Sequence, residues 1–133
     1  IVSPPTLYMP GGGIAIGLIG NDKAWQTSVI ELVEKGVQDT QVTFYVNEAG
    51  NVDPNIWVWH WHVAKNCNII LCDTTHSTQH EIITAMAMCK EDLPVAFYVP
   101  GNDELASLLN AISVPWFRNE EELDQMMEAA FGG

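Results

Sequence analysis

Short apolar runs alternate along this chain with stretches in which apolar residues recur at helical spacing. Residues 13–19 are almost wholly apolar, a strand signature that ends at Gly20-Asn21-Asp22. In residues 23–36, Trp25, Val29, Leu32 and Val33 fall on one helical face, with Glu31, Glu34 and Lys35 turned outward. Residues 41–46 are β-branched and aromatic and predict a second strand; a turn-rich loop follows over 47–54. The spacing then predicts a helix over 56–66, a third strand over 67–72 and a helix over 81–90. A fourth strand follows over 94–99, and Pro100-Gly101-Asn102 introduces a short helix over 103–111. Residues 113–117 form a brief fifth strand. Asn119, three residues before Glu122, suits the cap of a last helix carrying Leu123, Met126, Met127 and Ala130 on one face.

The stretch 56–66 also supports a second pattern. Trp57, Trp59 and Trp61 alternate strictly with Val58, His60 and His62, which is a strand signal. A helix is the better reading, because the segment has to cross between two parallel strands. Such an aromatic surface suits a core or an oligomer interface, and base stacking in a nucleoside pocket is the other use.

Strands alternating with helices imply a parallel sheet covered on both faces. Right-handed crossovers leave few arrangements, and the expected one is a flavodoxin-like, doubly wound five-stranded sheet of order 2-1-3-4-5. Residues 13–133 make one α/β domain behind an irregular arm, 1–12, rich in proline and glycine. In this topology the switch point lies between the first and third strands. The ligand crevice is then expected to be lined by Gly20 to Asp22, by Asp73 to Glu81, and by the loop starting at Pro100.

Charge narrows the partners. Seventeen acids face five cations, for a formal charge of −12. Binding to nucleic acid relies on displacing counterions with Lys and Arg, so neither nucleic acid nor an anionic membrane is an expected partner. A polyphosphate would have to be held by backbone amides or a helix N-terminus. No apolar run is long enough to span a bilayer, and the first residues lack the basic start and apolar core of a signal peptide. Three cysteines, Cys67, Cys72 and Cys89, in or beside strands and a helix suit a reducing, cytoplasmic setting. Cys67 and Cys72 are five apart, on opposite faces of a strand, so they make no zinc knuckle.

The candidate chemistry centres on Glu81. A carboxylate can attack a sugar carbon with oxocarbenium character and hold it covalently. Equally, Thr78-x-x-Glu81 has capping-box spacing, and either use is favoured by a helix N-terminus. Asp73 ends a strand where it can orient a ligand hydroxyl or a water, or simply form an Asx-turn. Asn21 and Asp22 either contact ligand or cap the helix that follows. His76 and His80 are four apart, and His60 and His62 two apart, but neither pair has the His-Glu-x-x-His pattern, so no metal site is expected. The glycines at 11–13 precede the first strand, and Gly17-x-x-Gly20 lacks the dinucleotide spacing, so no nicotinamide or flavin cofactor is expected. A receiver-like signalling domain would need an acidic cluster after the first strand and a Lys after the last. Asp22 is near the first position, but no Lys follows Phe117.

From Ile14 to about Val99 the chain resembles the nucleoside 2-deoxyribosyltransferase family. The resemblance rests on the first strand and its Trp25-containing helix, on Trp59-His60 ahead of Asn68-Ile69-Ile70-Leu71, and on the polar loop leading to Glu81. The small-residue helix with Thr84, Ala85 and Ala87 and the Leu93-Pro94-Val95 return complete it. The resemblance implies that Glu81 is the nucleophile that attacks the anomeric carbon of a 2′-deoxynucleoside or its monophosphate. The free base leaves, and a second base or water takes the deoxyribosyl group. Asp73 would then orient the sugar, and Asn21, Asp22, Trp59, His60, His76 and His80 would surround the substrate. The family needs no cofactor, and its members are homo-oligomers whose neighbouring subunits complete the pocket. The chain departs from the pattern at His60, where the family carries a carboxylate, at Asn68, where it carries Asp, and in the two histidines before Glu81. A member of the same fold that has lost transfer and serves as a ligand-binding or oligomeric interaction module is the alternative expectation.

Overall fold

A computed structural model describes residues 13–36, 41–46 and 64–131. Five parallel strands form one sheet in the order β2-β1-β3-β4-β5. They are β1 (Ile14–Ile19), β2 (Val42–Val46), β3 (Ile69–Asp73), β4 (Val95–Tyr98) and β5 (Trp116–Phe117). The described helices are α1 (Lys23–Gly36), α2 (Gln79–Lys90), α3 (Asp103–Ala111) and α4 (Glu120–Phe131). This is the expected flavodoxin-like order, with β1 flanked by β2 and β3, so the chain reverses its direction of winding beside β1. The helix expected over 56–66, with its tryptophans, falls for the most part outside the described residues, as does the arm 1–12.

The core is split by the sheet. Side chains alternate across it, so Ile16, Leu18, Phe44, Ile69 and Leu71 meet Trp25, Val29 and Val33 of α1 and Leu123 and Met127 of α4. Ile70, Cys72, Val95 and Phe97 on the other face meet Ala85 and Met88 of α2 and Ala106 and Leu109 of α3. These strands are apolar on both faces because both are covered, as parallel sheets require.

Several strand ends shift by one residue from the sequence reading, and three boundaries differ for a clear local reason. The third strand begins at Ile69 rather than Cys67. Cys67 N–H closes a turn onto Ala64, and Asn68 brackets Ala15, accepting its N–H on Oδ1 at 2.8 Å and donating its own N–H to the Ala15 carbonyl at 2.7 Å. The helix expected from Glu81 starts at Gln79, because the Thr78 hydroxyl accepts Glu81 N–H and caps it two residues earlier. The fifth strand shrinks to two residues. The end of α3 is closed by Ser113, at φ 59°, and by the Val114 N–H bond to Leu109, which delays the extended chain. On α4, Leu123 and Met127 are buried and Met126 half-buried, but Ala130 is exposed rather than on the packed face.

Candidate functional site at the carboxyl edge of the sheet

Every described helix follows a strand, so all four begin at the carboxyl edge of the sheet. Each start is held by a polar side chain of the chain itself. Asp22 Oδ1 accepts Ala24 N–H at α1, and the Asn102 and Asn119 side chains accept Leu105 N–H and Glu122 N–H at α3 and α4. Glu122 does not return the bond to Asn119; its Oε1 accepts Arg118 N–H at 2.9 Å and pairs with Arg118 Nε at 3.2 Å. At α2 the capping box is complete. Glu81 N–H donates to Thr78 Oγ1 at 3.1 Å, and Thr78 N–H donates to Glu81 Oε1 at 2.9 Å.

Glu81 does more than cap. It is only 3% exposed, and Asn21, from the loop after β1, donates its Nδ2–H to the same Oε1 at 2.9 Å. The backbone N–H of Asn21 donates to the His76 carbonyl at 3.1 Å. One residue therefore ties the β1–α1 loop to the middle of the β3–α2 loop and to the first turn of α2, across the switch point.

A second network lies beside it. Asp73 is fully buried, and its position in β3, in step with Ile69 and Leu71, puts it on the α1 and α4 side of the sheet. Its Oδ1 accepts Thr75 N–H at 3.0 Å, an Asx-turn, and its Oδ2 lies 2.8 Å from His76 Nδ1. Asp22 Oδ2 stands 3.5 Å from the same nitrogen. The hydrogen bond that Nδ1–H donates to Asp73 raises the His76 pKa above its ordinary 6.5, the charges of Asp73 and Asp22 add to that, and what little burial the ring has opposes it. These contacts are all made through Nδ1, while the side chain is 48% exposed. The donor atoms of Asp22, Asp73 and His76 lie within 4.8 Å of one another. That spacing would admit a small cation, but here the Asp73–His76 bond fills it.

Room for this network comes from Gly20. Its φ is +147°, and a Cβ there would sit 2.9 Å from Asp73 Cβ. Only glycine adopts that conformation without strain and lets the β1 end approach Asp73 so closely.

Asp22 and His76 also line a cavity of about 220 Å³ between α1, the end of β4 and the start of α4. Trp25 stacks on Tyr98 at a centroid distance of 5.8 Å, and Tyr98 packs on Phe117 at 5.4 Å. Burial, and then the charges of Asp73, Glu120 and Asp22, raise the Tyr98 pKa, so it remains a neutral phenol. The sequence reading gave Trp25 to the core and passed over Tyr98 and Glu120. Their meeting depends on α4 packing against α1, which no local pattern displays.

The structure thus brings together Asn21, Asp22, Asp73, His76 and Glu81. His80 stands exposed on the first turn of α2, its carbonyl accepting the buried Thr84 hydroxyl at 2.8 Å. Trp59 and His60 lie outside the described residues. Burial pushes the Cys67 thiol up to about 12 and Cys72 higher still, so neither supplies a thiolate nucleophile at neutral pH. Among the described residues no helix is long and apolar enough to cross a membrane.

The fold and the edge it builds define a doubly wound α/β protein with a carboxylate and a histidine–aspartate pair at its switch point. No family model, curated protein or solved structure matches the chain.

Proposed function

We propose that this chain is a nucleoside 2-deoxyribosyltransferase-like enzyme acting on 2′-deoxynucleosides or their monophosphates, with Glu81 as the nucleophile. The observation that carries the reading is the Asn21–Glu81 hydrogen bond. A carboxylate that only capped α2 would need Thr78 alone. Glu81 is in addition oriented by a side chain from the opposite lip of the crevice, where ligands of this fold bind. In the reaction a Glu81 oxygen bonds to C1′ as the C1′–N bond breaks, and the base leaves with the electron pair. A second base or a water then displaces Glu81 from C1′. Asp73 is engaged by Thr75 and His76, so it serves the substrate through His76 rather than by direct contact with the sugar. By the family resemblance Trp59, His60 and His80 contact the substrate, a second copy of the chain completes the pocket, and no cofactor takes part.

One observation favours a second reading, a non-catalytic ligand-binding or oligomeric interaction module. Glu81 is buried and its capping box is complete. A chromatographic assay for free base separates the two, using a panel of 2′-deoxynucleosides and their monophosphates. Wild type is expected to release base and Glu81→Gln, which keeps an acceptor oxygen for the cap, is expected to release none. Absence of release from every substrate by folded wild type leaves the module reading in place.

A further inference from the structure

Departure of a nucleobase leaves an electron pair on a ring nitrogen, and the reaction is slow unless a proton reaches the base as the bond breaks. Glu81 cannot supply that proton, because it is occupied with C1′. A nearby donor held in a fixed orientation is needed.

We propose, building on the glycosyl-transfer reading, that His76 is the general acid that protonates the departing base, with Asp73 as its positioning residue. Four observations carry this. His76 Nδ1 is engaged at 2.8 Å by a fully buried carboxylate, which fixes the ring and leaves Nε2 as the nitrogen that meets a ligand. The ring is half exposed and lines the cavity beside Trp25 and Tyr98, whose aromatic wall suits a planar base. Asn21 holds both the His76 carbonyl and the Glu81 carboxylate, so acid and nucleophile share one support. The titratable groups around the ring are Asp73 and Asp22 at Nδ1, which favour its protonated form, with Glu120 and the neutral Tyr98 in the same cavity. The raised pKa of His76 is consistent with a donor loaded near neutral pH.

The step balances. Glu81 forms its bond to C1′, the C1′–N pair goes to the base, and the His76 Nε2 proton passes to a base ring nitrogen. In the second half the incoming base or water gives a proton back to Nε2 as it attacks C1′, and Glu81 leaves as carboxylate.

The test compares 2′-deoxyguanosine with N7-methyl-2′-deoxyguanosine, whose base is already cationic and departs without a proton. In His76→Gln, single-turnover release of guanine from 2′-deoxyguanosine is expected to fall by about 10²-fold or more, and single-turnover release of the methylated base, which needs no proton, is expected to fall far less. Asp73→Asn is expected to move the alkaline limb of single-turnover guanine release to lower pH, and to shift release of the methylated base far less. Wild type alone gives a check free of any folding defect. Its single-turnover release of guanine from 2′-deoxyguanosine should fall as pH rises above the ordinary histidine range, and its release of the methylated base should not. Equal loss on both substrates, or parallel pH profiles, overturns the role of His76 while leaving Glu81 chemistry intact. If wild type turns over neither substrate, glycosyl transfer and the general acid fall together.

Discussion

Asn21 and Glu81 are sixty positions apart in sequence, and the side-chain amide of one donates to the carboxylate of the other at 2.9 Å. The bond crosses the switch point between β1 and β3, and it couples the two loops on which the candidate chemistry sits. Replacing Asn21 by Ala takes a donor from a buried carboxylate, which costs about 1–3 kcal/mol. Asn21→Asp should cost more, because it sets a second negative charge against the first. Urea denaturation measures both, and a loss for Asp no greater than for Ala would show that the amide does not face Glu81 in solution.

Thr78 isolates the cap from the chemistry. Thr78→Ala removes the hydroxyl that accepts Glu81 N–H and is expected to lower stability by about 1 kcal/mol, whereas Thr78→Ser keeps the acceptor and stays near wild type. Base release by folded Thr78→Ala should persist, since the Asn21 bond still orients Glu81. If stability and activity fall in strict proportion across both variants, capping and activity are one property.

His76 makes stability depend on pH with a defined sign. Its folded-state pKa lies above 6.5, chiefly through Asp73. The protonated ring between two carboxylates therefore contributes fully below the ordinary histidine value. That contribution disappears as pH climbs from there through the raised folded value. Thermal midpoints recorded across this window should decline for wild type, and this decline should be absent from His76→Gln. Superimposable slopes for the two proteins would place the imidazole outside the Asp73 network.

Gly20→Ala tests the close approach of β1 to Asp73. The new Cβ would stand 2.9 Å from Asp73 Cβ in a backbone conformation that only glycine adopts readily. A loss on the order of 1–3 kcal/mol is expected from the backbone strain alone, with a displaced His76 imidazole resonance as Asp73 shifts. An unchanged resonance together with wild-type stability would contradict this packing.

Much of this architecture is legible in the residues. The 103–111 helix follows from Pro100-Gly101-Asn102 ahead of an amphipathic run, and the structure places α3 at those bounds. Strand order follows from the βα alternation and its handed crossovers. The misplaced starts of β3 and β5 have a local cause that pattern does not register. Asn68 is polar but satisfies the backbone of Ala15, and the close of α3 runs on through Val114. The site divides in the same way. Thr78-x-x-Glu81 and the Asx-turn at Asp73 are short-range features, readable from spacing. The Asn21–Glu81 bond, the His76 contact with Asp22 and the cavity against Tyr98 join parts of the chain that only the folded sheet brings together.

The occupied helix starts have a consequence for selection. In folds of this kind an unfilled first turn is a standing receptor for negative charge. Here Asp22, Glu81, the Asp103–Glu104 pair and the Glu120–Glu122 triplet stand at the four starts. Lys35 and Lys90 lie in the last turns of α1 and α2, at the far end of the sheet, and Arg118 is committed to Glu122. Apart from Lys23 at the start of α1 the rim is acidic, so a polyanion brought to it should meet a repulsion that added salt weakens by screening.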